Sequence, residues 1–125
     1  MPPTVHHLAV RVADLDRAEA FYSGVIGLAV IRRLDDDGGR PRAVWLGLDG
    51  AFLALELAPE STRAPEGGPS FHCIALAIPT SDRESWRRRL ESAGYPIERE
   101  TSFTIYVKDP DRNLIGLSHH PESIS

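Results

Sequence analysis

The sequence predicts an α+β fold in which one βαβββ module occurs twice and forms a curved mixed sheet around a concave cleft. Each half of the chain opens with an alternating apolar strand, continues with an amphipathic helix that ends at glycine, and closes with three further strands. The halves match at an almost constant offset, because Leu8 corresponds to Ile74 and Gly27 corresponds to Gly94. One helix covers only one face of a sheet, so we expect the two remaining faces to line the cleft.

The first module is predicted over about residues 4–58. Its opening strand alternates apolar and polar residues, and Asp14 then suits the N-cap of a helix that stops at Gly27. Asp49 and Gly50 are a strong signal for a two-residue hairpin turn of type I′. The predicted strands of this module are 4–13, 28–34, 43–48 and 51–57.

A segment rich in proline and glycine, 59–69, is predicted to link this module to a second one at about 70–119. Ser81 and Glu84 resemble a capping box at the start of the second helix, which is predicted to end at Gly94. The turn at 109–113 needs a residue with positive φ, which is either Arg112, at some energetic cost, or Asn113. The predicted strands of this module are 71–78, 95–99, 103–108 and 113–119.

The composition is that of one ordinary globular domain over residues 1–125. The chain is 42% apolar and 26% charged, and its formal net charge of −4 gives no general attraction to phosphate, so we expect no nucleic-acid partner. A single cysteine, Cys73, excludes a disulfide within the chain. No apolar stretch approaches the roughly 18–20 residues that span a bilayer. We therefore expect a cytoplasmic protein without a membrane partner.

Five stretches of the chain resemble the vicinal oxygen chelate superfamily, which includes glyoxalase I, extradiol dioxygenases, fosfomycin-resistance proteins and bleomycin-binding proteins. They occur in the family's order and cover nearly the whole chain: "HHLAVRVADLDRAEAFYSGVIGL", "LALEL", "IALAIP", "WRRRLESAGYPI" and "YVKDPDRNLIGL". The resemblance implies the same duplicated fold, a small-molecule ligand and a homodimer.

The resemblance also implies four strand positions for the ligands of one divalent metal ion, such as zinc, nickel, manganese or iron. The first two positions fall on His7 and Glu56, which are residue types that metal-dependent members use. The other two fall on Cys73, where the family usually has His, and on Gly116, where it usually has Glu. A thiolate can bind zinc but glycine has no side chain, so the ligand set is incomplete.

Each candidate ligand also has an interpretation without a metal. Strand alternation points His7 to the concave face, where it would shape a pocket. Glu56 lies on an otherwise apolar strand and must be solvated, paired with an arginine such as Arg11, or functional as a ligand or general base. Cys73 is otherwise a small buried residue, and a one-residue slip would bring His72 to the site in its place.

Three functions are compatible with these residues. The first is a metal-dependent lyase, isomerase or dioxygenase of the glyoxalase type, with His7, Glu56 and Cys73 as metal ligands. The second is a metal-free protein that binds a small molecule or antibiotic, as bleomycin-resistance proteins do. The third is a metal-free isomerase or lyase with Glu56 as the base and His7 as its partner. The sequence favours an enzyme over a pure binding protein by a small margin. The ligand-binding residues are predicted to be Arg11, Trp45, Phe52, Phe103 and Tyr106.

Overall fold

Two four-stranded mixed sheets make up the described part of the computed structural model, which comprises residues 1–58 and 68–124. The chain divides into two units, 1–64 and 65–125, one for each predicted half. In both units the strands follow the order first, fourth, third, second, and the first strand pairs in parallel with the fourth. The predicted α+β class with two βαβββ modules is confirmed. Most of the predicted linker, 59–67, lies outside the described residues.

The first module contains four strands and one helical segment. Asp14 caps that segment as predicted, since its side chain accepts a hydrogen bond from the backbone N–H of Arg17 at 3.0 Å. The segment starts as an α-helix, continues as a π-helix, and is followed by Gly27, whose φ is 96°. Its elements are β1 (His7–Val12), α1 (Leu15–Glu19), the π-helical segment Ala20–Val25, β2 (Val30–Asp35), β3 (Pro41–Leu48) and β4 (Ala51–Leu57).

The helical segment covers one face of the first sheet. It packs against β3 and β4, and its residues Phe21 and Tyr22 are almost completely buried. Burial alternates along β1 as predicted, so that every second side chain, beginning with His7, is exposed. The side chains of β1 that we predicted to bind a ligand or metal therefore lie on the face away from the helical segment.

A two-residue turn joins β3 to β4 at Asp49 and Gly50, where the sequence predicts it. Gly50 has a φ of 73°, but Asp49 does not have a positive φ. A type I′ turn needs positive φ at both central residues, so the predicted turn type is wrong. The reason is local: the positive φ of Gly50 is enough to reverse the chain, so Asp49 avoids the left-handed region, which is unfavourable for an L-residue.

The second module repeats the strand order, but its helix starts differently from the prediction. A 3₁₀ turn precedes the helix, and Asp82 at the N-cap has helical backbone angles and makes no side-chain cap bond. The capping box predicted from Ser81 and Glu84 is therefore wrong, because such a box needs an extended N-cap residue. The elements are β5 (Ile74–Ala77), the 3₁₀ turn Thr80–Asp82, α2 (Arg83–Ser92), β6 (Arg99–Glu100), β7 (Thr104–Lys108) and β8 (Leu114–Ser118).

A buried arginine ties α2 to the rest of the second module. Arg83 is 3% exposed, donates to the carbonyl oxygen of Thr101 at 2.7 Å, and places Nη1 2.9 Å from Nε2 of His119. Because a guanidinium only donates, His119 accepts at Nε2 and carries its proton on Nδ1, which lies 2.5 Å from the carbonyl oxygen of Glu122. No helix in the described ranges is long and apolar enough to cross a membrane.

The turn between β7 and β8 places Arg112 in the left-handed region, with a φ of 70°. Of the two residues predicted for this conformation, the chain therefore uses Arg112 and not Asn113. The buried carboxylate of Asp109 holds the turn, since its Oδ1 accepts from the N–H groups of Asp111 at 2.9 Å and of Asn113 at 2.7 Å. These bonds offset the steric cost that an L-residue has in this region.

Replacing this strained residue should stabilise the protein. Arg112→Gly removes the steric cost and leaves the bonds to Asp109 in place, so we expect the free energy of unfolding to rise by about 0.5–1 kcal/mol. As a control, Gly50→Ala introduces the same kind of strain in the β3–β4 turn and should lower that free energy by about 1 kcal/mol. Urea denaturation measures both changes, and an Arg112→Gly protein less stable than the native chain would contradict the strain argument.

An ion pair joins the helical segment of the first module to β2. Both terminal guanidinium nitrogens of Arg33 contact the carboxylate of Glu19. The hydrogen bonds from Arg33 hold the pKa of Glu19 below its ordinary value, against the opposing effect of desolvation. A carboxylate with a lowered pKa contributes its stability above the pKa of the unfolded chain and loses it as the pH falls through the folded-state pKa.

Glu19→Gln should therefore remove a pH-dependent part of the stability. At neutral pH we expect the variant to lose about 0.2–1 kcal/mol of unfolding free energy, the usual range for a surface pair. The difference from the native chain should shrink as the pH falls to about 3, where the native carboxylate takes up its proton. Denaturation curves across this range measure the effect, with Glu91→Gln as a control that removes an equal charge from α2. A difference that stays constant down to acid pH would contradict the role of the ion pair.

Candidate functional site

A stack of planar side chains lies on the exposed face of the first sheet, which we call the His7 face. The ring of His7 stacks on that of Phe52, with centroids 4.8 Å apart, and Phe52 stacks on Trp45 at 4.3 Å. The guanidinium of Arg32 then lies over the Trp45 ring, with Cζ 5.3 Å from the centroid. The stack therefore takes one side chain from each of the four strands of this sheet.

The strand register produces this order. His7 is the Cα partner of Phe52, and Arg32 is the Cα partner of Trp45. Trp45 also pairs with Ala54, whose small side chain leaves room for the rings beside it. The structure thus brings together three predicted residues, His7, Phe52 and Trp45. Sequence analysis missed Arg32, because only the pairing of β2 with β3 reveals that it lies beside Trp45.

Glu56 and Arg11 lie on the same face but away from the stack. They are Cα partners in the parallel strands β1 and β4, and Arg11 is four residues beyond His7, about 13 Å along the strand. Both side chains are exposed, and no ion pair joins either of them to another residue within the described ranges. We call a set of Cα partners across the four strands of a sheet a row. His7 and Glu56 therefore lie in different rows, and the catalytic roles predicted for them stay predictions.

The second sheet carries a similar pair of side chains on a face that we call the Tyr106 face. Arg99 on β6 lies over the ring of Tyr106 on β7, with Cζ 4.6 Å from the centroid. Its Nη2 lies 3.2 Å from Nε2 of His72. Since β5 begins only at Ile74, His72 and the free thiol of Cys73 precede the strand, and strand alternation does not decide which way they point.

Tyr106 fills the space above Gly116. A Cβ atom at Gly116 would lie 3.1 Å from Cε1 of Tyr106 and 3.1 Å from Cγ2 of Thr104, which is closer than side chains normally pack. The two residues are Cα partners in the antiparallel pair β7–β8, so the ring folds across its direct neighbour. The position at which the resemblance implies a metal-binding Glu is therefore covered by an aromatic ring.

Strand pairing shows which residues of the two modules correspond. Ala9 pairs with Ala54, and Ala75, at the matching point of the second module, pairs with Gly116. The counterpart of Gly116 is thus Ala54, two residues before Glu56. Each sheet has one row with two small residues, an aromatic residue and an arginine. The rows are Ala9–Ala54–Trp45–Arg32 and Ala75–Gly116–Tyr106–Arg99.

Among the described residues, no three His, Cys, Asp or Glu side chains come together in a way that could hold a metal ion. Ala54 and Gly116, the corresponding row positions of the two modules, have no donor atom in their side chains. Metal ligation by His7, Glu56 and Cys73 therefore stays a prediction.

Phe103 does not belong to either row. It precedes β7, and its ring packs against the ring of His120 with centroids 4.8 Å apart. Its predicted role as a ligand-binding residue stays a prediction.

Curated relatives and solved structures match nearly the whole chain. Metallothiol transferase FosB from Shouchella clausii is 29% identical over 118 residues, which is 89% of this chain and 76% of the relative. Lactoylglutathione lyase from Neisseria meningitidis is 27% identical over 116 residues, which is 84% of this chain and 82% of the relative.

Solved structures confirm the fold. A glyoxalase/dioxygenase from Nostoc punctiforme matches with a TM-score of 0.79 at 22% identity, covering 95% of this chain and 92% of that one. The fosfomycin resistance protein FosX from Listeria monocytogenes matches with a TM-score of 0.76 at 18% identity, covering 95% and 93%. The model of one family matches residues 4–117, which confirms the resemblance inferred from the motifs. The chain belongs to the Glyoxalase/Bleomycin resistance protein/Dioxygenase superfamily.

Proposed function

We propose that this chain binds a planar small molecule on the side-chain stack of the His7 face, and that it does so without a metal ion. The observation that carries the proposal is the pattern of the two rows. The residues paired with Ala9 and Ala75 are Ala54 and Gly116, and neither has a side chain that could ligate a metal. An aromatic residue and an arginine follow in each row, and these side chains bind organic ligands through their faces and edges.

The stack suits a planar ligand for physical reasons. Trp45 and Phe52 are half-buried and hold each other in place, so a ligand ring would add to an ordered surface. Each favourable contact between aromatic rings contributes about 0.5–1.5 kcal/mol beyond the burial of apolar area. At the end of the stack, the exposed ring of His7 can donate or accept one hydrogen bond.

A second candidate is an enzyme of the lyase, isomerase or dioxygenase type. Relatives of this chain are named lactoylglutathione lyase and metallothiol transferase. The observation that favours an enzyme is the exposure of His7 and Glu56 on one face, where both are accessible to a substrate. With Glu56 as base and His7 as its partner, the substrate must be long enough to span the rows between them.

A homodimer and a cytoplasmic location, both expected from the sequence, remain part of the proposal. Sedimentation of the purified chain decides the first, and fractionation of cells that produce it decides the second. Neither outcome changes the ligand chemistry proposed for the His7 face.

The proposed function predicts binding that survives a chelator. With 2-naphthamide, a neutral planar probe, we expect a dissociation constant of about 1 mM or lower in calorimetry, since about 0.3 kcal/mol per heavy atom is typical of organic ligands. Adding EDTA should leave this binding unchanged. Trp45→Val should abolish it, because the stack loses its central ring, whereas Trp86→Leu on α2 is the matched control and should have no effect.

Two results would contradict the proposal. One is binding of 2-naphthamide that is the same in the native chain and in Trp45→Val. The other is a protein, purified without an affinity tag, that contains about one zinc, nickel, manganese or iron ion per chain and binds the probe only with that ion. The second result would favour the metal-dependent enzyme.

The close contact at Gly116 makes a separate prediction. Gly116→Ala places a methyl group 3.1 Å from the Tyr106 ring, and we expect it to lower the free energy of unfolding by about 1–3 kcal/mol. The same substitution in a Tyr106→Val background should cost less, because the contact with the ring is gone and only the contact with Cγ2 of Thr104 remains. Gly24→Ala is the control, since its Cβ would meet nothing within 4 Å. Thermal denaturation of the four variants measures the coupling, and a neutral Gly116→Ala would contradict the contact.

A further inference from the structure

Each sheet carries an arginine that lies over an aromatic ring on the neighbouring strand. Arg32 covers Trp45, with Cζ 5.3 Å from the ring centroid, and Arg99 covers Tyr106 at 4.6 Å. In both cases the two residues are Cα partners, and the pair occupies the same place in its row. The same arrangement therefore occurs twice in one chain, on strands that are far apart in sequence.

The arginines next to them in the chain or the fold have carboxylate partners instead. Arg33, the neighbour of Arg32, contacts Glu19 on the opposite side of the sheet. Arg87 on α2 contacts the carboxylates of Glu84 and Glu100. In these pairs the carboxylates neutralise the guanidinium groups of Arg33 and Arg87. Both arginines therefore have little charge left for a ligand.

Arg32 and Arg99 are not neutralised in this way. Within the described ranges, neither forms an ion pair with a carboxylate, and the polar contact of Arg99 is to Nε2 of His72 at 3.2 Å. Both residues are exposed. The guanidinium of Arg32 thus lies over a ring and has its N–H groups available for an acceptor from outside, whereas one N–H group of Arg99 is directed at His72.

We infer that the ligand of the His7 face is a planar carboxylate and that Arg32 is its anchor. A guanidinium is planar and presents two parallel N–H groups, which match the two oxygens of a carboxylate. This inference rests on the proposed function and adds the chemical class of its ligand.

A third arginine over a ring provides the comparison that the experiment needs. Arg89 lies over Trp86 with Cζ 5.2 Å from the centroid, but the two residues are three apart on α2 and meet as ordinary neighbours on one helix. A variant at Arg89 therefore removes the same charge and the same kind of contact from a surface that the inference does not involve.

The test is calorimetric titration of the full chain with three probes of matched size. They are 2-naphthoate, which is planar and anionic, 2-naphthamide, which is planar and neutral, and decahydro-2-naphthoate, which is anionic and not planar. We expect 2-naphthoate to bind at least about tenfold more tightly than either of the other two, because only it uses both the ring and the charge-assisted hydrogen bonds.

One variant assigns this preference to the anchor. Arg32→Gln should weaken binding of 2-naphthoate by about tenfold, so that the variant binds the acid no more tightly than the amide. Arg32→Lys should not restore the preference, since an ammonium has no planar pair of donors. Arg33→Gln and Arg89→Gln are the controls with the same loss of charge, and both should keep the native preference.

Three outcomes would overturn the inference: equal affinity of the native chain for 2-naphthoate and 2-naphthamide, a native preference retained in Arg32→Gln, or an equal loss in the two control variants. If 2-naphthamide still binds and depends on Trp45, only the choice of a carboxylate ligand has failed. If neither planar probe binds, the proposed function has failed together with the inference.

Discussion

The parallel pairing of the first strand with the fourth strand in each module is the constraint on which the other features depend. Side chains alternate along a strand, so this one register decides which residues reach the His7 face and the Tyr106 face. It sets Ala9 beside Ala54 and Ala75 beside Gly116. A slip of one residue in β4 would expose Leu55, which is fully buried, and would turn its neighbouring carboxylate toward the core.

The same row of residues behaves differently in the two sheets because its neighbours differ. In the first sheet the Trp45 ring has the Phe52 ring beside it, and the two stack at 4.3 Å. In the second sheet the residue two places before Gly116 is Leu114, so Tyr106 has no such partner there and instead folds across the glycine. The two modules thus share the backbone register, while single side chains decide whether a ring joins a stack or covers the glycine on the neighbouring strand.

Features that depend on short stretches of sequence could be predicted, and features that depend on distant partners could not. The alternation of β1 and the helix-ending glycines Gly27 and Gly94 are local signals, and the structure has them where the sequence indicates. The strand predicted at 95–99 is wrong in position, since β6 is Arg99–Glu100. The capping box and the turn type failed because they depend on backbone angles that residue types only bias. Arg32 and Arg83 were missed because their partners lie on other elements. Glu56 matched a motif, but only the strand register relates Ala54 to Gly116.

The contact between Tyr106 and Gly116 also restricts how this chain can change over evolutionary time. A carboxylate introduced at position 116 meets the ring at once, because even its Cβ lies 3.1 Å away. Loss of the ring first leaves a bare glycine in a strand and removes the support of Arg99. Either single step weakens the sheet, so the two positions are expected to change together. A lineage with this pair is separated by a stability barrier from one with a metal-binding carboxylate at the same place.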